Sequence, residues 1–306
     1  MKRGASAVMT LILLCFLLAV LPGCAKEEAA EPAAKRQTWT TLLIPESPGE
    51  ETYGNELVTL DTSRKSEGYF TLCYRGSVEN VKIQITVPEG GVYTYSLAKH
   101  GEPEVFPLTG GAGSYGVKVL ENAFDDMYAL AFSAEFPLEH ADEFKPYLYP
   151  NQYVWYTPQS KAVAFGVQLS QESQDDLDYV QKVYNYVTGN IVYDTELAAN
   201  VPLGYIPDID VTLERGKGIC FDYASLMTAL LRTQGIPAKL VVGYSGTAYH
   251  AWISVYLQEA GWVDKIIRFD GKSWSLMDPT LAASNSREDV KRYIGDGSNY
   301  IAKYFY

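Results

Sequence analysis

The stretch that decides the fold is Gly216–Ala224, with the sequence Gly-Lys-Gly-Ile-Cys-Phe-Asp-Tyr-Ala, which places Cys220 at the start of a predicted helix. Apolar residues recur at helical spacing as far as Leu230, so one face of this helix is expected to pack against a core. Gly235 and Pro237 then provide the signals that end a helix. Cys220 therefore lies at the positive end of the helix dipole, where a thiolate is favoured over a thiol.

Two later segments supply chemical partners for this cysteine, which taken alone is more often a small buried hydrophobic residue. The alternating segment Tyr249–Tyr256 predicts a strand with His250 near its start. The segment Lys272–Thr280 predicts a second strand, which Asp278 and the following proline close. Cys220, His250 and Asp278 thus form a candidate nucleophile, base and orienting acid, provided that the fold brings them together.

Five segments, in this order along the chain, resemble the core of the transglutaminase-like superfamily. They are Gly218–Ala224, Leu230–Ala238, Val242–Tyr244, His250–Trp252 and Leu276–Thr280. The resemblance extends roughly from Ser170 to Ser284 and implies a papain-like core with Cys220, His250 and Asp278 as the catalytic triad. The sequence departs from the family pattern in a long insert, Gln258–Phe269, which predicts an added hairpin beside the site.

The predicted fold class is α+β: a cysteine-bearing helix packed on an antiparallel sheet, preceded by an all-β, sandwich-like domain. Strand-like runs separated by turn residues fill the region before residue 160, and Val81–Val87 alternates as a half-buried strand does. From Ser170 the pattern turns helical, with Ser170 and Ser173 as candidate caps. We predict a signal peptide over 1–23, a flexible tether over 24–37, a β-sandwich-like domain over 38–165 and a transglutaminase-like catalytic domain over 166–306.

The N-terminus predicts export and lipid anchoring. Lys2 and Arg3 precede an uncharged apolar run, Val8–Val20, which is short for a bilayer span and typical of a secretory signal. The Leu-Pro-Gly-Cys sequence at 21–24 resembles the lipobox of bacterial lipoproteins, which would make Cys24 the lipidated residue. The alternative is an ordinary signal peptide in which Cys24 has no role. We expect a protein held by lipid at the extracytoplasmic face of the cell membrane.

Composition and motif spacing argue against several other classes of protein. A formal net charge of −12 disfavours nucleic acid as a partner, because phosphates call for basic patches. The three histidines, His100, His140 and His250, are scattered, and no Cys-x-x-Cys pair occurs. The segment Gly111–Gly116 has P-loop spacing, but Val117 replaces the phosphate-binding lysine. We therefore expect no metal, no cofactor and no nucleic-acid partner.

The predicted activity is attack of the Cys220 thiolate on a carboxamide or peptide carbonyl of a protein or peptide substrate. The Cys220 backbone amide is one candidate oxyanion donor, and Tyr205 is a candidate second donor. His250 would protonate the leaving amine, after which water or another amine would resolve the thioester. The alternative is a non-catalytic binding or scaffold lipoprotein of the cell envelope that retains the transglutaminase-like core. Cys73 is expected not to pair with Cys220.

Overall fold

The structure is a computed structural model that describes residues 36–264, 267–269, 274–276, 280 and 298–306. These residues all belong to one compact unit, Ala34–Tyr306. The predicted signal peptide, Cys24 and Asp278 lie outside the described residues. The predicted domain boundary at residue 165 stays a prediction.

The described residues contain both strands and helices, numbered here in chain order. The strands are β1 (Thr52–Gly54), β2 (Val58–Asp61), β3 (Tyr69–Tyr74), β4 (Val81–Thr86), β5 (Val92–Ser96), β6 (Pro103–Pro107), β7 (Gly113–Phe124), β8 (Met127–Leu138), β9 (Val192–Tyr193), β10 (Lys217–Gly218), β11 (Ala238–Ser245), β12 (Ala248–Leu257), β13 (Gly261–Asp264), β14 (Ile267–Phe269), β15 (Trp274–Leu276) and β16 (Tyr300–Phe305). The α-helices are α1 (Lys161–Gln171), α2 (Asp176–Asn190), α3 (Thr195–Ala199), α4 (Ile209–Arg215) and α5 (Cys220–Arg232).

The first eight strands form two antiparallel sheets, in the orders β1-β2-β3-β6 and β5-β4-β7-β8. In β4 the apolar residues alternate with partly exposed polar ones, as the sequence predicts. Aromatic rings pack between the two sheets. The ring centres of Phe70 in β3 and Phe136 in β8 are 5.8 Å apart, and those of Tyr95 in β5 and Phe106 in β6 are 4.9 Å apart. The sandwich-like architecture predicted for this region is confirmed.

The later part of the chain is organised around α5, whose residues from Asp222 to Arg232 are all buried. This helix contacts α1, α2 and α4, and it also contacts β11 and β12 of the antiparallel sheet β13-β12-β11-β16. A helix that begins at the cysteine and packs on an antiparallel sheet is the predicted arrangement. The α+β fold class is therefore confirmed.

The cap of α2 differs from the prediction. Asp175 caps the helix, and its side chain accepts a hydrogen bond of 2.7 Å from the Asp178 amide. Ser170 instead belongs to α1, and the Ser173 hydroxyl donates to the Leu169 carbonyl at 2.7 Å. The serine caps were therefore a wrong prediction, because an aspartate next to the first turn can satisfy its free amides directly.

The part of the insert that forms β13 makes a hairpin with β12 at the end of that strand away from His250. Strand β13 pairs with β12 from Leu257↔Gly261 to Ser254↔Asp264, whereas His250 lies near the opposite end of β12. The edge strand on the opposite side of the sheet from β13 is β16, which pairs antiparallel with β11.

The last two residues of the predicted tether are ordered against the helices. Arg36 Nε lies 2.7 Å from an Asp176 carboxylate oxygen, and Arg36 Nη2 donates to the Gln234 carbonyl at 2.6 Å. The guanidinium also lies 4.8 Å from the centre of the Tyr179 ring. The described chain is thus held to α2 and to the end of α5 from Arg36 onward.

A buried arginine joins three separate segments at the C-terminal end of α5. Arg232 is 3% exposed, and it donates to the main-chain oxygens of Ala238, Tyr149 and Tyr306 at 2.6–2.9 Å. Burial lowers the pKa of Arg232 to about 10, so the side chain remains a cation at neutral pH. A buried cation is tolerated when its donors are satisfied in this way.

We expect Arg232→Met to lower the free energy of unfolding by about 3–5 kcal/mol, because it leaves buried carbonyl oxygens without donors. Chemical denaturation of the purified protein measures this change. The control is Arg64→Met, which removes a partly exposed ion pair with Glu46 and should cost at most about 1 kcal/mol. Equal losses in the two variants would contradict the role assigned to Arg232.

Candidate active site

The local chain path places Cys220 at the first position of α5. Strand β10 runs parallel to β9, and the chain leaves it through the extended residue Ile219, which is the N-cap of α5. Gly216 precedes this turn and ends α4 in the left-handed conformation, with φ of 58°. Cys220 is half-buried and has a free thiol, as does the buried Cys73. The first-turn amides of the helix, including that of Cys220, have no acceptor within the helix.

Asp222 stabilises this helix start. It is 2% exposed, and its carboxylate accepts one hydrogen bond of 2.8 Å from the Ile219 amide and another of 2.7 Å from the Tyr205 hydroxyl. Burial is the main cause that raises the pKa of Asp222, and the negative charge of Asp194 adds to it. A carboxylate in the first turn that binds the N-cap amide follows the capping-box pattern. The sequence analysis missed this role, although the pattern is visible in the sequence.

Tyr205 lies behind the helix start. Burial and the hydrogen bond to Asp222 raise the pKa of Tyr205, so its hydroxyl is neutral and donates to Asp222. Tyr205 does not belong to the residues that line the cavity at Cys220. In this arrangement its proton is engaged by Asp222, and the oxyanion role of Tyr205 stays a prediction.

Cys220 and His250 line the same cavity, which has a volume of about 440 Å³. His250 is the third residue of β12 and pairs with Gly243 of β11. The imidazole ring lies 6.3 Å from the Trp252 ring and 6.2 Å from the Tyr300 ring. The structure therefore brings two of the three predicted triad residues to one cavity, while Asp278 is outside the described residues.

Gly243 allows the strands beside His250 to approach closely. A Cβ atom at Gly243 would lie 2.1 Å from the Ile301 carbonyl oxygen and 2.9 Å from the Trp252 ring. Any other residue would push β16 away from β11 at the register of His250. Close packing of β11 against β16 thus explains why the Val242–Tyr244 segment has a glycine at its centre.

Aromatic side chains form a large part of the cavity wall. They are Tyr153, Tyr193, Phe221, Tyr249, Tyr304 and Tyr306. The Tyr153 ring lies 4.8 Å from the Tyr306 ring and 5.2 Å from the Phe221 ring. The sequence analysis missed the role of Tyr304 and Tyr306, because no local pattern reveals contacts between residues so far apart in the chain.

Two further features of the described part of the chain bear on its chemistry. Within it, no group of three or more His, Cys, Asp and Glu side chains lies close enough together to hold a metal ion. None of its helices combines the length and the apolar character needed to cross a membrane.

We expect Gly218→Ala to lower the free energy of unfolding by about 1–3 kcal/mol. The added Cβ would lie 2.6 Å from the Asp222 Cβ and 3.0 Å from its Oδ2, and would displace the carboxylate that caps α5. Thermal or chemical denaturation measures this loss. The matched control is Gly189→Ala in α2, where a Cβ meets nothing within 4 Å and the substitution should be neutral or slightly stabilising. A similar loss in both variants would contradict the prediction.

The raised pKa of Asp222 predicts a pH-dependent contribution to stability. Because the pKa is higher in the folded than in the unfolded chain, the folded state holds this proton more tightly. The contribution of Asp222 should therefore become more favourable as the pH falls from about 7 towards about 4. Asp222→Asn cannot titrate, so its free energy of unfolding relative to wild type should decline over that range. A difference that is constant with pH, or that changes in the opposite direction, would refute this.

Comparison with known proteins places the central part of the chain in a family. Residues 163–265 match the family model described as the transglutaminase-like superfamily. The chain is similar to the uncharacterized protein YebA of Bacillus subtilis, with 32% identity over 118 residues that cover 32% of this chain and 16% of YebA. It is also similar to the protein-glutamine gamma-glutamyltransferase of Pseudomonas aeruginosa, with 27% identity over 109 residues that cover 30% of this chain and 14% of that protein.

Among solved structures, the periplasmic domain of TgpA from Pseudomonas aeruginosa is similar to this chain at 15% identity, with a TM-score of 0.32. That comparison covers 81% of this chain and 100% of the TgpA domain. The match to the two curated relatives is confined to a small part of each of them. Residues 163–265, which carry both Cys220 and His250, are a transglutaminase-like domain.

Proposed function

We propose that this protein is an exported, lipid-anchored enzyme that acts on amide bonds of proteins or peptides through the thiol of Cys220. The observation that carries the proposal is that Cys220, at the start of α5, lines the same cavity as His250. Members of the transglutaminase-like superfamily are usually catalytic, and the P. aeruginosa relative is named as a glutamine transferase. Lipidation of Cys24 and export rest on the N-terminal sequence alone.

The proposed reaction has two steps. The Cys220 sulfur, after losing its proton to His250, bonds to the substrate carbonyl carbon, and the oxyanion that forms accepts a hydrogen bond from the Cys220 backbone amide. The C–N bond then breaks, and His250 returns the proton to the leaving amine. In the second step water or a second amine attacks the thioester, the S–C bond breaks, and the free thiol is restored. Asp278 would hold the imidazole in the required tautomer and stabilise its cationic form.

The second step determines which enzyme this is. Attack by water gives a peptidase or an amidase, whereas attack by a lysine amine gives a protein cross-linker. Tyr249 lines the cavity at Cys220 and is 63% exposed, so the cavity opens to solvent. We therefore favour hydrolysis over cross-linking as the proposed outcome.

The decisive measurement is the rate at which iodoacetamide alkylates Cys220 near neutral pH, with the modified residue identified by mass spectrometry. We expect the rate to fall about tenfold or more in His250→Ala, because the base that removes the thiol proton is lost. Cys73→Ser is the matched control and should leave alkylation of Cys220 unchanged, since Cys73 lies in β3 of the sandwich. A rate that does not respond to His250→Ala would instead support a non-catalytic scaffold.

The reaction itself is identified by incubating envelope proteins with wild type or with Cys220→Ala and comparing the products by mass spectrometry. Backbone cleavage, deamidation or new isopeptide links would each name a different reaction. We expect any such change to fall by about 1,000-fold or more in Cys220→Ala, as it does when a nucleophile is removed from a triad. A product that forms equally with both proteins would rule out Cys220 as the nucleophile.

A further inference from the structure

Among the residues that the structure describes, Cys220 and His250 are the only ones with ionisable acid–base side chains, apart from tyrosines, that line the cavity. Its polar groups are hydroxyls, mainly of tyrosines. Burial raises the pKa of Tyr153, Tyr249 and Tyr306, so these phenols are neutral near pH 7. A charged substrate group that entered this cavity would lose water and gain no ionic partner, which is costly. An aromatic or aliphatic group would lose only unfavourable contact with water.

An exposed apolar row continues the cavity onto the surface of the sheet. Tyr249, Tyr244 and Ile301 are direct neighbours across β12, β11 and β16, and the Tyr244 and Tyr249 rings lie 5.6 Å apart. Tyr249 is 63% exposed and also lines the cavity, so the row begins at the cavity itself. Exposed apolar residues that are contiguous with a cleft are typical of an interaction surface.

A second apolar edge follows α3. Val201 lines the cavity and is largely exposed, and Leu203, two residues later, is 100% exposed. Full exposure of a leucine contributes nothing to the stability of the isolated fold. Apolar surface therefore flanks the cavity both along the sheet and along the segment after α3.

We propose that the site takes an extended polypeptide whose residues beside the scissile amide carry aromatic or large aliphatic side chains, and that it rejects acidic side chains there. The inference rests on the proposed function, since it concerns the substrate of the same cysteine. A volume of about 440 Å³ holds a few side chains but not a folded partner, so the rest of the substrate lies along the exposed row.

The test uses three peptidyl acyloxymethyl ketones that differ only in the residue beside the reactive ketone, which is Phe, Gln or Glu. The cysteine sulfur displaces the carboxylate of each reagent, so the labelling rate of Cys220 reports how well each peptide is held. On the full chain in detergent, we expect the Phe reagent to label at least about tenfold faster than Gln, and Gln faster than Glu. Gln and Glu have nearly the same shape, so that pair isolates the effect of charge.

The salt dependence separates loss of hydration from long-range repulsion. The protein has a net charge of −12, and repulsion of an acidic peptide by that charge would be screened in about 0.5 M NaCl. If loss of hydration at the cavity wall causes the preference, the order of the labelling rates should be the same in that salt. Equal labelling by the three reagents, or a preference for Gln over Glu that disappears in salt, would overturn the proposal.

Substitutions of exposed apolar residues show which part of the surface causes the preference for the Phe peptide. Tyr244→Ser and Leu203→Ser should each lower the ratio of Phe-peptide labelling to iodoacetamide labelling by about 3- to 10-fold. The matched control is Phe124→Ser at the β7–β8 turn, which removes a residue that is also largely exposed and should leave the ratio unchanged. An equal fall in all three variants would overturn the placement of the peptide. The proposed function is tested separately, because its failure appears as an iodoacetamide rate that is indifferent to His250→Ala.

Discussion

The arrangement of the later half of the described chain depends on the hydrogen bonds of one buried cation, Arg232. Its guanidinium binds the main-chain oxygens of Tyr149, Ala238 and Tyr306, so the end of α5, the start of β11 and the strand β16 are held in one place. A buried guanidinium without these acceptors would be strongly unfavourable, which means that the three segments can be displaced only together. The hydrogen bonds of Arg232 therefore fix the relative positions of these segments as well as stabilising the fold.

This constraint reaches the candidate site through α5. Arg232 ends the helix and Cys220 begins it, so anchoring of one end positions the other. The helix packs on β11 and β12, and His250 lies in β12, which brings the cysteine and the histidine to one cavity. Asp222 then determines the geometry of the first turn by binding the Ile219 amide. The site depends on a helix that is held firmly at both ends.

The transglutaminase-like domain does not build the cavity alone. Residues 163–265 supply Cys220 and His250, but Thr94 and Tyr153 come from before this range, and Tyr306 comes from after it. The β-sandwich strand β5 and the strand β16 thus help to enclose the reactive thiol. Apart from Thr94 these added wall residues are tyrosines, so the proposed substrate preference depends partly on segments outside the family match.

Patterns of period two or 3.6 within short segments predicted local elements such as the alternation of β4 and the helix that begins at Cys220. The papain-like α+β arrangement of the later half followed from the resemblance to the family. Which of these elements pack against one another could be seen only in the tertiary structure. The hydrogen bonds of Arg232 to Tyr149 and Tyr306, the strand β16 and the tyrosine wall join residues that lie far apart in the chain, and no periodicity encodes such pairs. For the site, the sequence predicted Cys220 and His250, which line one cavity, and their catalytic roles, like that of Asp278, stay predictions. A sequence shows the chemical type of each side chain, whereas its burial, its hydrogen bonds and therefore its pKa depend on how the folded chain packs.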